Sequence, residues 1–456
     1  MFNSTDTIAA LATPVGESGI AVIRVSGPQA LEVLSAVLRQ ASGKGFEGWE
    51  HRRLYHGYFV DEAGERVDEV MASVMRGPES YTGEDVVEIS CHGGLAVVQR
   101  VLEVLLRHAR PAEAGEFTRR AFLNGKIDLI QAEAVADLIH ARTEVQRVAA
   151  ERQLSGELSR RIDQLADDML VLLGDLEARI DFIEEGIEAL DIPGALDRIA
   201  AQRASLDELL ASAPMARVLR DGFRVVIAGP VNAGKSSLFN RLLGESRAIV
   251  TEIPGTTRDV LRETLVIDGV PFVLHDTAGL RDESTDRVEQ LGMGRTADAV
   301  DQADLVLFVL DGSNGHDDSA AGRRSLEALD ATRSIVLINK ADLPESTHGA
   351  VAGVRVSALT GAGLDELRAT MLARTGALEL ARVARERSVL NARLVSLLDD
   401  ARAQLDELAL MIRHSEPMEL VAEKAREALH LYEEATGRRY HDGLLDVIFS
   451  RFCIGK

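Results

Sequence analysis

One short run of glycines, a lysine and a serine carries the clearest chemistry in the sequence. Gly229-Pro-Val-Asn-Ala-Gly-Lys-Ser236 matches the pattern G-x-x-x-x-G-K-[ST] and directly follows the strand-like segment Phe223–Ala228. The glycines allow main-chain N–H groups to turn inward around a phosphate at the start of a helix. We expect Lys235 to reach the β- and γ-phosphates of a nucleotide and the Ser236 hydroxyl to bind magnesium. Taken alone, the run has an alternative interpretation as a glycine-rich turn with an accidental Lys-Ser pair.

Two downstream segments supply further parts of a magnesium and γ-phosphate site. Gly255-Thr-Thr-Arg-Asp259 resembles the first switch segment of GTPases related to translation factors, with Thr257 as the second magnesium ligand. Asp276-Thr-Ala-Gly279 follows the apolar, strand-like run 271–275. Its aspartate can hold magnesium through water, and the Gly279 N–H can sense the γ-phosphate. The two segments together predict a nucleotide-dependent switch.

The nucleotide base is specified by Asn339-Lys-Ala-Asp342, which follows another buried strand-like run, 335–338. The Asp342 carboxylate suits the N1–H and N2–H₂ donors of guanine, which adenine does not present in that arrangement. Ser357-Ala358 resembles the loop that contacts the guanine O6. The order and spacing of these motifs match a small GTPase over about 160 residues. The predicted nucleotide is GTP.

The residue after Asp276-Thr-Ala-Gly279 departs from the common catalytic pattern. Many GTPases place a glutamine there to orient the attacking water, whereas this sequence has Leu280, which has no hydrogen-bonding group. Water must therefore be oriented from elsewhere, or the intrinsic rate must be very low. Arg258 is either an arginine finger or an ordinary surface arginine. The acidic candidates for orienting water are Asp282, Glu283, Asp286 and Glu289.

The rest of the chain is expected to form further folded regions, since a length of 456 residues predicts about three domains. β-branched runs at 20–25 and 86–90 predict strands in a mixed α/β region. Apolar residues at helical spacing in 128–150 and 153–185 predict long amphipathic helices. We therefore predict a multidomain α/β plus all-α fold, in which a Ras-like P-loop GTPase domain with a mostly parallel sheet is inserted into a discontinuous helical bundle. The predicted regions are residues 1–118, 119–221, 222–380 and 381–456.

Composition limits the function classes. The net charge of −22 argues against a protein that coats nucleic acid through general electrostatics. Two small basic clusters, 107–120 and Arg438-Arg439, are either solvated surface or local RNA contacts. The sequence shows neither a run of about 18 apolar residues nor the features of a secretory signal, so no membrane span is expected. Two cysteines, Cys91 and Cys453, cannot form a disulfide framework, so we expect a reducing, cytoplasmic setting.

The last four residues, Cys453-Ile-Gly-Lys456, make the resemblance specific. A C-x-G-K motif beyond a helical region that encloses a GTPase resembles the MnmE (TrmE) family of tRNA-modification GTPases. Further segments resemble that family along the whole chain, namely Asp6-Thr-Ile8, Ser80-Tyr-Thr-Gly-Glu-Asp85, His92-Gly-Gly94, Ala114-Gly-Glu-Phe-Thr118 and Asn124-Gly-Lys126. The sequence is therefore identified as a member of that family.

The resemblance implies an N-terminal α/β domain similar to tetrahydrofolate-binding domains, through which the chain forms a homodimer. It also implies a partner, the FAD-dependent protein MnmG, in a heterotetramer or larger complex that acts on carbon 5 of the wobble uridine of certain tRNAs. A 5-formyl- or 5,10-methylene-tetrahydrofolate carbon and glycine or ammonium would supply an aminomethyl-type group. The matching folate contacts are Arg24, Glu84, Lys126 and Lys456, each of which would otherwise be interpreted as part of a surface ion pair.

The resemblance also implies a substitute for the missing glutamine. G domains of the family dimerise across the nucleotide face when potassium binds, and the cation takes the place of an arginine finger. The matching potassium ligands are Asn232, the main-chain carbonyls of Thr251 and Ile253, and Thr256. The water-orienting acid falls on Glu289, which joins Lys235 as a catalytic residue. The full set of predicted GTP contacts is Asn232, Ala233, Gly234, Lys235, Ser236, Ser237, Thr251, Glu252, Ile253, Pro254, Gly255, Thr256, Thr257, Asp276, Thr277, Ala278, Gly279, Asn339, Lys340, Ala341, Asp342, Ser357 and Ala358.

Cys453 and the overall function each leave an alternative open. A thiol can add to uridine carbon 6 or carry a carbon unit, which would make Cys453 a nucleophile. Alternatively, Cys453 is a small apolar residue at a docked chain end. Cys91 is interpreted as structural. The alternative function for the whole chain is a ribosome-assembly GTPase, although such proteins usually append a basic RNA-binding domain. A folate-dependent one-carbon transferase is a third hypothesis, against which the inserted GTPase counts.

Overall fold

The computed structural model describes residues 6–181, 190–246, 262–276, 300–313, 330–344, 352–386 and 388–456. The chain divides into two compact units, and we describe each by itself. The first unit comprises Met1–His140, Gln153–Leu206 and Ser396–Lys456. The second comprises Ala141–Arg152 and Asp207–Val395. The four regions predicted from the sequence stay a prediction.

The elements are numbered in chain order over the described residues. The strands are β1 (Ile8–Leu11), β2 (Ser18–Ser26), β3 (Leu38–Arg39), β4 (Arg53–Val60), β5 (Arg66–Met75), β6 (Val86–Gly93), β7 (Arg110–Pro111), β8 (Phe223–Ala228), β9 (Arg262–Ile267), β10 (Val270–Asp276), β11 (Leu305–Asp311), β12 (Ser334–Asn339) and β13 (Val354–Arg355). The helices are α1 (Ala30–Val37), α2 (Leu95–Leu105), α3 (Glu116–Leu123), α4 (Leu129–His140), α5 (Glu144–Leu154), α6 (Glu157–Asp181), α7 (Ile192–Leu210), α8 (Ala213–Asp221), α9 (Lys235–Ser246), α10 (Leu364–Thr375), α11 (Ala377–Glu386), α12 (Ala392–Arg413), α13 (Met418–Thr436) and α14 (Asp442–Phe449).

The N-terminal part of the first unit is built on a sheet with the strand order β3-β4-β5-β6-β2-β1-β7. Neighbouring strands are antiparallel except β1 and β7, which are parallel. Alternate residues of the central strands are buried in one core, among them Ile23, Val25, Val87 and Ile89. Helices α1 and α2 contribute apolar residues to the same core. The strands predicted at 20–25 and 86–90 are confirmed, as is the α/β character of this region.

Long helices form the rest of the first unit, and α13 packs along α6 although the two are far apart in the sequence. Leu165, Met169, Leu172 and Leu176 follow a spacing of three or four residues on α6, so they line one buried face. The buried Tyr432 of α13 donates its O–H to Gln202 Oε1 at 3.2 Å. The predicted discontinuous bundle is confirmed. Among the described helices, none combines the length and apolar character needed to cross a bilayer.

The helix predicted over 128–150 is instead two helices, α4 and α5. Thr143 and Gln146 explain the break, because they form a capping box that starts a new helix. The Thr143 hydroxyl accepts from the Gln146 N–H at 3.2 Å, and Gln146 Oε1 accepts from the Thr143 N–H at 3.0 Å. The second predicted helix begins at Glu157, after Gly156 adopts a left-handed φ of +74°. Glycine adopts that conformation readily because it has no Cβ.

The second unit is built on a mostly parallel sheet with the order β13-β12-β11-β8-β10-β9. Among the described strands of this sheet, only β9 and β10 pair antiparallel. Strand β11 is buried over nearly its whole length, as expected where helices cover both faces of a sheet. Strands β8, β11 and β12 run parallel, so their carboxyl ends meet at one edge. This edge positions the phosphate-binding and guanine motifs.

Candidate functional site

The phosphate-binding loop leaves β8 at the carboxyl edge of the second sheet and enters α9. Gly229 and Gly234 have φ values of +135° and +91°, which residues with a Cβ rarely adopt. A Cβ on Gly229 would lie 2.2 Å from the Val309 carbonyl oxygen, and one on Gly234 would lie 2.2 Å from Asn339 Nδ2. Both glycines are therefore required by close approach as well as by backbone conformation. The loop follows β8 and precedes a helix, as predicted from the sequence.

Lys235 lies within this loop, where its ammonium group meets main-chain oxygens. Its Nζ donates to the carbonyl oxygens of Gly229 at 2.9 Å and Pro230 at 2.6 Å. Ser236 and Ser237 are exposed in the first turn of α9, so their hydroxyls are accessible to a ligand. The side chain of Asn232 is also exposed, on a backbone with φ of +65°. A cation and accessible hydroxyls at a helix start suit phosphate and magnesium.

The guanine motifs lie against the phosphate-binding loop through one buried side chain. Asn339 Nδ2 donates to the Ala233 carbonyl oxygen at 2.8 Å, and its Oδ1 accepts from the Ala358 N–H at 3.0 Å. The buried Ser357 hydroxyl donates to Asp342 Oδ1. The structure thus brings together the motifs at 229–236, 339–342 and 357–358, which we call the nucleotide edge. An exposed, hydrogen-bonded Asp342 carboxylate is free to accept further N–H donors.

A residue that the sequence analysis did not single out, Asp311, also lies at the nucleotide edge. Its Oδ2 accepts from Lys340 Nζ at 2.6 Å, and its Oδ1 accepts from the Ser313 N–H at 2.9 Å. Burial alone would raise the pKa of Asp311, but the hydrogen bonds from Lys340 and Ser313 hold it below its ordinary value. The available sequence signal was its position, because it ends a buried strand beside the strand that ends at Asn339.

Other predicted residues of the nucleotide site lie outside the described residues. Asp276 is described only as the last residue of β10. The structure describes one predicted magnesium ligand, Ser236, and one predicted potassium ligand, Asn232, and both roles stay predictions. The residues outside the description are Thr251, Glu252, Ile253, Pro254, Gly255, Thr256, Thr257, Arg258, Thr277, Ala278, Gly279, Leu280, Asp282, Glu283, Asp286 and Glu289.

A second candidate site lies in the first unit around Glu84. The Glu84 carboxylate is only 14% exposed and accepts from Arg120 Nη1 at 3.2 and 3.1 Å. Its Oε2 also accepts from the Ser26 hydroxyl at 2.7 Å. Lys126 lies against the neighbouring Gly83, since a Cβ on that glycine would be 3.4 Å from Lys126 Cγ, and Lys126 Nζ donates to the Pro78 carbonyl oxygen at 2.8 Å. Arg120 and Ser26 therefore hold the Glu84 carboxylate in place as a hydrogen-bond acceptor.

Arg24 lies on the same face of β2 as Ser26, two residues away. Its guanidinium donates from Nη2 to Glu88 Oε1 at 2.7 Å and lies 5.5 Å from the ring centres of Tyr81 and Phe117. Its Nη1 also lies 3.5 Å from the Gly455 carbonyl oxygen. An arginine with one carboxylate partner and two aromatic faces is fixed in place but keeps donors available.

The end of the described chain docks beside these residues. Ile454 forms an antiparallel bridge with Ala114, and the Phe117 N–H donates to the Lys456 carbonyl oxygen at 3.1 Å. Arg24, Glu84, Lys126 and Lys456 therefore gather in one region, which we call the Glu84 site. Their predicted folate-binding roles stay predictions, although residues from four distant stretches of sequence meet here.

Three arginines of the basic cluster at 107–120, namely Arg110, Arg119 and Arg120, form ion pairs within the protein, and an RNA contact of this cluster stays a prediction. Arg120 is 5% exposed and donates from Nη2 to Asp6 Oδ1 at 2.6 Å and to Glu116 Oε1 at 2.9 Å. Arg110 donates to the same two carboxylates, at 2.8 Å and 2.6 Å. Burial alone would raise the pKa of Glu116, but the bonds from Arg110, the Glu113 N–H and Arg120 hold it below its ordinary value. Within this network, only the pair Glu116 and Arg120, four residues apart on α3, has a spacing that the sequence could signal.

The two cysteines differ in environment. Cys91 is buried in the sheet, and burial, followed by the nearby Asp68 carboxylate, raises the pKa of its thiol to about 11. A thiol that resists ionisation is a poor nucleophile, which fits the structural interpretation. Cys453 is exposed, in a chain end that docks through Ile454 and Lys456, so the alternative of a small residue at a docked chain end stays open. Its proposed nucleophilic role stays a prediction.

The chain is similar to known proteins over almost its full length. Residues 129–453 match the model described as MnmE helical domain, and residues 7–126 match GTP-binding protein TrmE N-terminus. Proteins named tRNA modification GTPase MnmE from Natranaerobius thermophilus and Geobacter metallireducens are 42% and 44% identical, with 99% of each chain covered. The one from Thermotoga maritima is 40% identical, covering 99% of this chain and 100% of the relative.

A solved structure of the G domain of the T. maritima FeoB iron transporter covers 33% of this chain and 98% of its own, at 25% identity and a TM-score of 0.24. The family assignment does not depend on that structure. It depends on relatives that match the chain at 40–44% identity from end to end, and on two family models that together span most of its length. The chain belongs to the MnmE (TrmE) family of tRNA modification GTPases.

Proposed function

We propose that this chain hydrolyses GTP to drive modification of carbon 5 of the tRNA wobble uridine in the cytoplasm, together with the FAD-dependent partner MnmG. Family membership supports the GTPase activity and the tRNA substrate. The observation that carries the proposal is that one chain holds both the nucleotide edge and the Glu84 site. The first suits a nucleoside triphosphate, and the second suits an anionic one-carbon carrier.

Each side chain of the nucleotide edge has a defined task in this proposal. Lys235 neutralises charge that develops on the β- and γ-phosphates, while the Ser236 hydroxyl holds magnesium. Asp342 accepts the N–H donors of guanine, and Asn339 fixes the distance between base and phosphates because it bonds the phosphate-binding loop directly. Positioning and charge stabilisation are the main sources of catalysis in phosphoryl transfer, so these residues suffice for slow turnover.

Faster turnover requires a substitute for the glutamine that Leu280 replaces. Asn232 is exposed in the phosphate-binding loop, three residues before Lys235, and an amide oxygen there would suit a potassium ion next to the β–γ bridge. The cation would supply positive charge where an arginine finger otherwise acts. Thr251, Ile253 and Thr256 complete the ion's ligands, and Glu289 orients the water. A second G domain closing over this face would exclude solvent from the ion.

The Glu84 site fits a tetrahydrofolate. A pterin ring offers an amide N–H and an amino group to one carboxylate, and Glu84 is held as such an acceptor by Arg120 and Ser26. The glutamate tail of a folate is anionic and suits Arg24, Lys126 and Lys456. When bound, the folate supplies the one-carbon unit. The exposed Cys453 lies three residues before Lys456, where a nucleophilic thiol could reach the uridine. The homodimer forms through the domain that contains this site.

Potassium dependence of GTP turnover tests the proposal. The wild-type chain should hydrolyse GTP at least about tenfold faster in potassium chloride than in sodium chloride at equal ionic strength. Asn232→Ala should remove that response while leaving GDP affinity within about threefold. Asn240→Ala, an exposed asparagine on α9, is the matched control and should respond as wild type does. Equal wild-type rates in both salts would remove the potassium mechanism.

A further inference from the structure

The short loop that follows β11 lies against the guanine motif in two ways. Asp311, the last residue of β11 before this loop, is in register with Asn339 on β12. The Gly312 N–H donates to the Asn339 carbonyl oxygen at 2.9 Å. A Cβ on Gly312 would lie 2.7 Å from Ile338 Cγ2, so the loop approaches as closely as a glycine permits. The side chain of Asp311 adds the second contact, through Lys340.

Lys340 needs such support because of its backbone. Its φ is +63°, in the left-handed region, which is strained for a residue with a Cβ. The Asp311 carboxylate holds the other end of the side chain, with Nζ to Oδ2 at 2.6 Å and only 14% of the aspartate side chain exposed. Asp342, which we expect to accept the guanine donors, follows two residues later.

We propose that Asp311 is a positioning residue for guanine-nucleotide binding, which acts by fixing Lys340 and with it the loop that presents Asp342. This inference rests on the proposed binding of GTP at the nucleotide edge. Asp311 contacts Lys340 and Ser313, which lie on the base-binding side of the edge. It therefore affects nucleotide affinity, whereas turnover at saturating GTP depends on other residues.

A purely structural role for Asp311 would be to stabilise its own turn, and the chain offers a matched control. Asp330 forms the same kind of turn, since its Oδ1 accepts from the Thr332 N–H at 2.9 Å and the Thr332 hydroxyl at 2.6 Å. It also pairs with a basic side chain, Arg333 Nε, at 3.4 Å. Asp330 precedes β12, whereas Asp311 lies beside the end of β12. Asp330→Asn therefore removes equivalent interactions far from the guanine motif.

The test measures GDP affinity with a fluorescent GDP analogue, and KM and kcat for GTP, on full-length chains. Asp311→Asn should weaken GDP binding about five- to tenfold and raise KM by a similar factor, with kcat within about twofold of wild type. Asp330→Asn should leave all three values unchanged. In a Lys340→Met background, Asp311→Asn should produce no additional loss of GDP affinity, because the Lys340 ammonium group that Asp311 fixes is absent.

Several outcomes would overturn the inference. One is an unchanged GDP affinity in Asp311→Asn, or an equal loss of GDP affinity in Asp330→Asn. The others are an effect of Asp311→Asn on kcat alone, and a full additional loss of GDP affinity when Asp311→Asn is made in the Lys340→Met background. Ser313→Ala removes only the hydroxyl bond to Asp311 and keeps the test available if Asp311→Asn does not fold. Ser313→Ala should weaken GDP binding about twofold, and unchanged GDP binding would also contradict the inference. Absence of GDP binding by the wild-type chain would instead refute the proposed function itself.

Discussion

Gly234 of the phosphate-binding loop packs closely against Asn339 of the guanine motif. A Cβ there would lie 2.2 Å from Asn339 Nδ2, and the φ of +91° adds backbone strain. Gly234→Ala should therefore push Asn339 away from the Ala233 carbonyl oxygen. We expect GDP binding to weaken at least about tenfold, measured by fluorescence titration.

Gly376→Ala is the control for this substitution. Gly376 also has a left-handed φ, +64°, but no atom lies within 4 Å of the added Cβ. The Gly376→Ala chain should lose about 1 kcal/mol of stability and keep the GDP affinity of the wild-type chain. A Gly234→Ala chain that binds GDP as tightly as the Gly376→Ala chain would contradict the proposed contact between the two motifs.

Glu116 makes stability depend on pH, because hydrogen bonds from Arg110, the Glu113 N–H and Arg120 outweigh the effect of burial and lower its pKa. A carboxyl with a depressed folded-state pKa stabilises the fold above its unfolded-state pKa, and that contribution is lost as pH falls through the folded-state value. Glu116→Gln should cost about 3 kcal/mol near neutral pH, and the difference from wild type should shrink below about pH 4.5. Denaturant unfolding at several pH values measures it.

Glu103→Gln provides the comparison, since Glu103 is 64% exposed and pairs with Arg100 at 3.5 Å. It should change stability by less than about 0.5 kcal/mol at any pH. If the Glu116→Gln deficit stayed constant down to acidic pH, the ionised carboxylate would not be its cause.

The residues of the nucleotide edge could be predicted because their motifs are local, with a strand, a loop and a helix in fixed order. The Glu84 site was predicted only by resemblance, and its supporting network was missed. Arg120 and Asp6 are 114 residues apart in the sequence, and Arg24 and Glu88 are 64 apart. No spacing rule relates such pairs, because their approach is created by the pairing of distant strands and by helix packing.

At the scale of elements, α5 connects to the hairpin that joins the two predicted switch segments. Strand β9 follows the first segment, and β10 ends at Asp276, where the second begins. Val145, in the first turn of α5, is fully buried in the core of the second unit. A Cβ on Gly269, in the turn between β9 and β10, would lie 3.5 Å from Val145 Cγ2. Helix and hairpin therefore share one packed contact.

Val145→Ala should remove about 2 kcal/mol from the stability of the second unit, because two buried methyl groups are lost. Thermal unfolding of the full chain measures the change. Val171→Ala, a valine on helix α6 that is 58% exposed, carries the same gain in helix propensity without the lost packing. Equal transition temperatures for the two variants would show that the contact between α5 and the hairpin contributes nothing to stability.

The strands were predictable at this scale, since runs such as Leu305–Asp311 are continuous and apolar. The division between α4 and α5 was missed, although Thr143 and Gln146 carry the pattern of a capping box. The apolar spacing continues across Ala141 and Arg142, and periodicity alone cannot detect a cap within it.

At the scale of the whole molecule, the two ends of the described chain meet in the first unit. Gly455 has φ of +93°, and a Cβ on it would lie 2.1 Å from the Leu11 carbonyl oxygen. Gly455→Ala should displace the tail and lower the stability of the first unit by about 1–3 kcal/mol. Tail displacement should also stop tRNA modification while GTP hydrolysis continues, since the nucleotide edge belongs to the second unit.

Gly64→Ala is the matched variant, because Gly64 has φ of +80° and nothing lies within 4 Å of an added Cβ. It should keep both activities. Loss of modification in Gly64→Ala as well as Gly455→Ala would assign the effect to backbone strain and not to the docked tail.

Nucleoside mass analysis of tRNA tests the central claim most directly, namely that this chain couples a GTPase to wobble-uridine modification. Cells that lack the protein should lose the carbon-5 modification, and the wild-type chain should restore it. Glu84→Gln should fail to restore it even though the purified variant hydrolyses GTP at the wild-type rate. An unchanged wobble-uridine profile in cells without the protein would contradict the account.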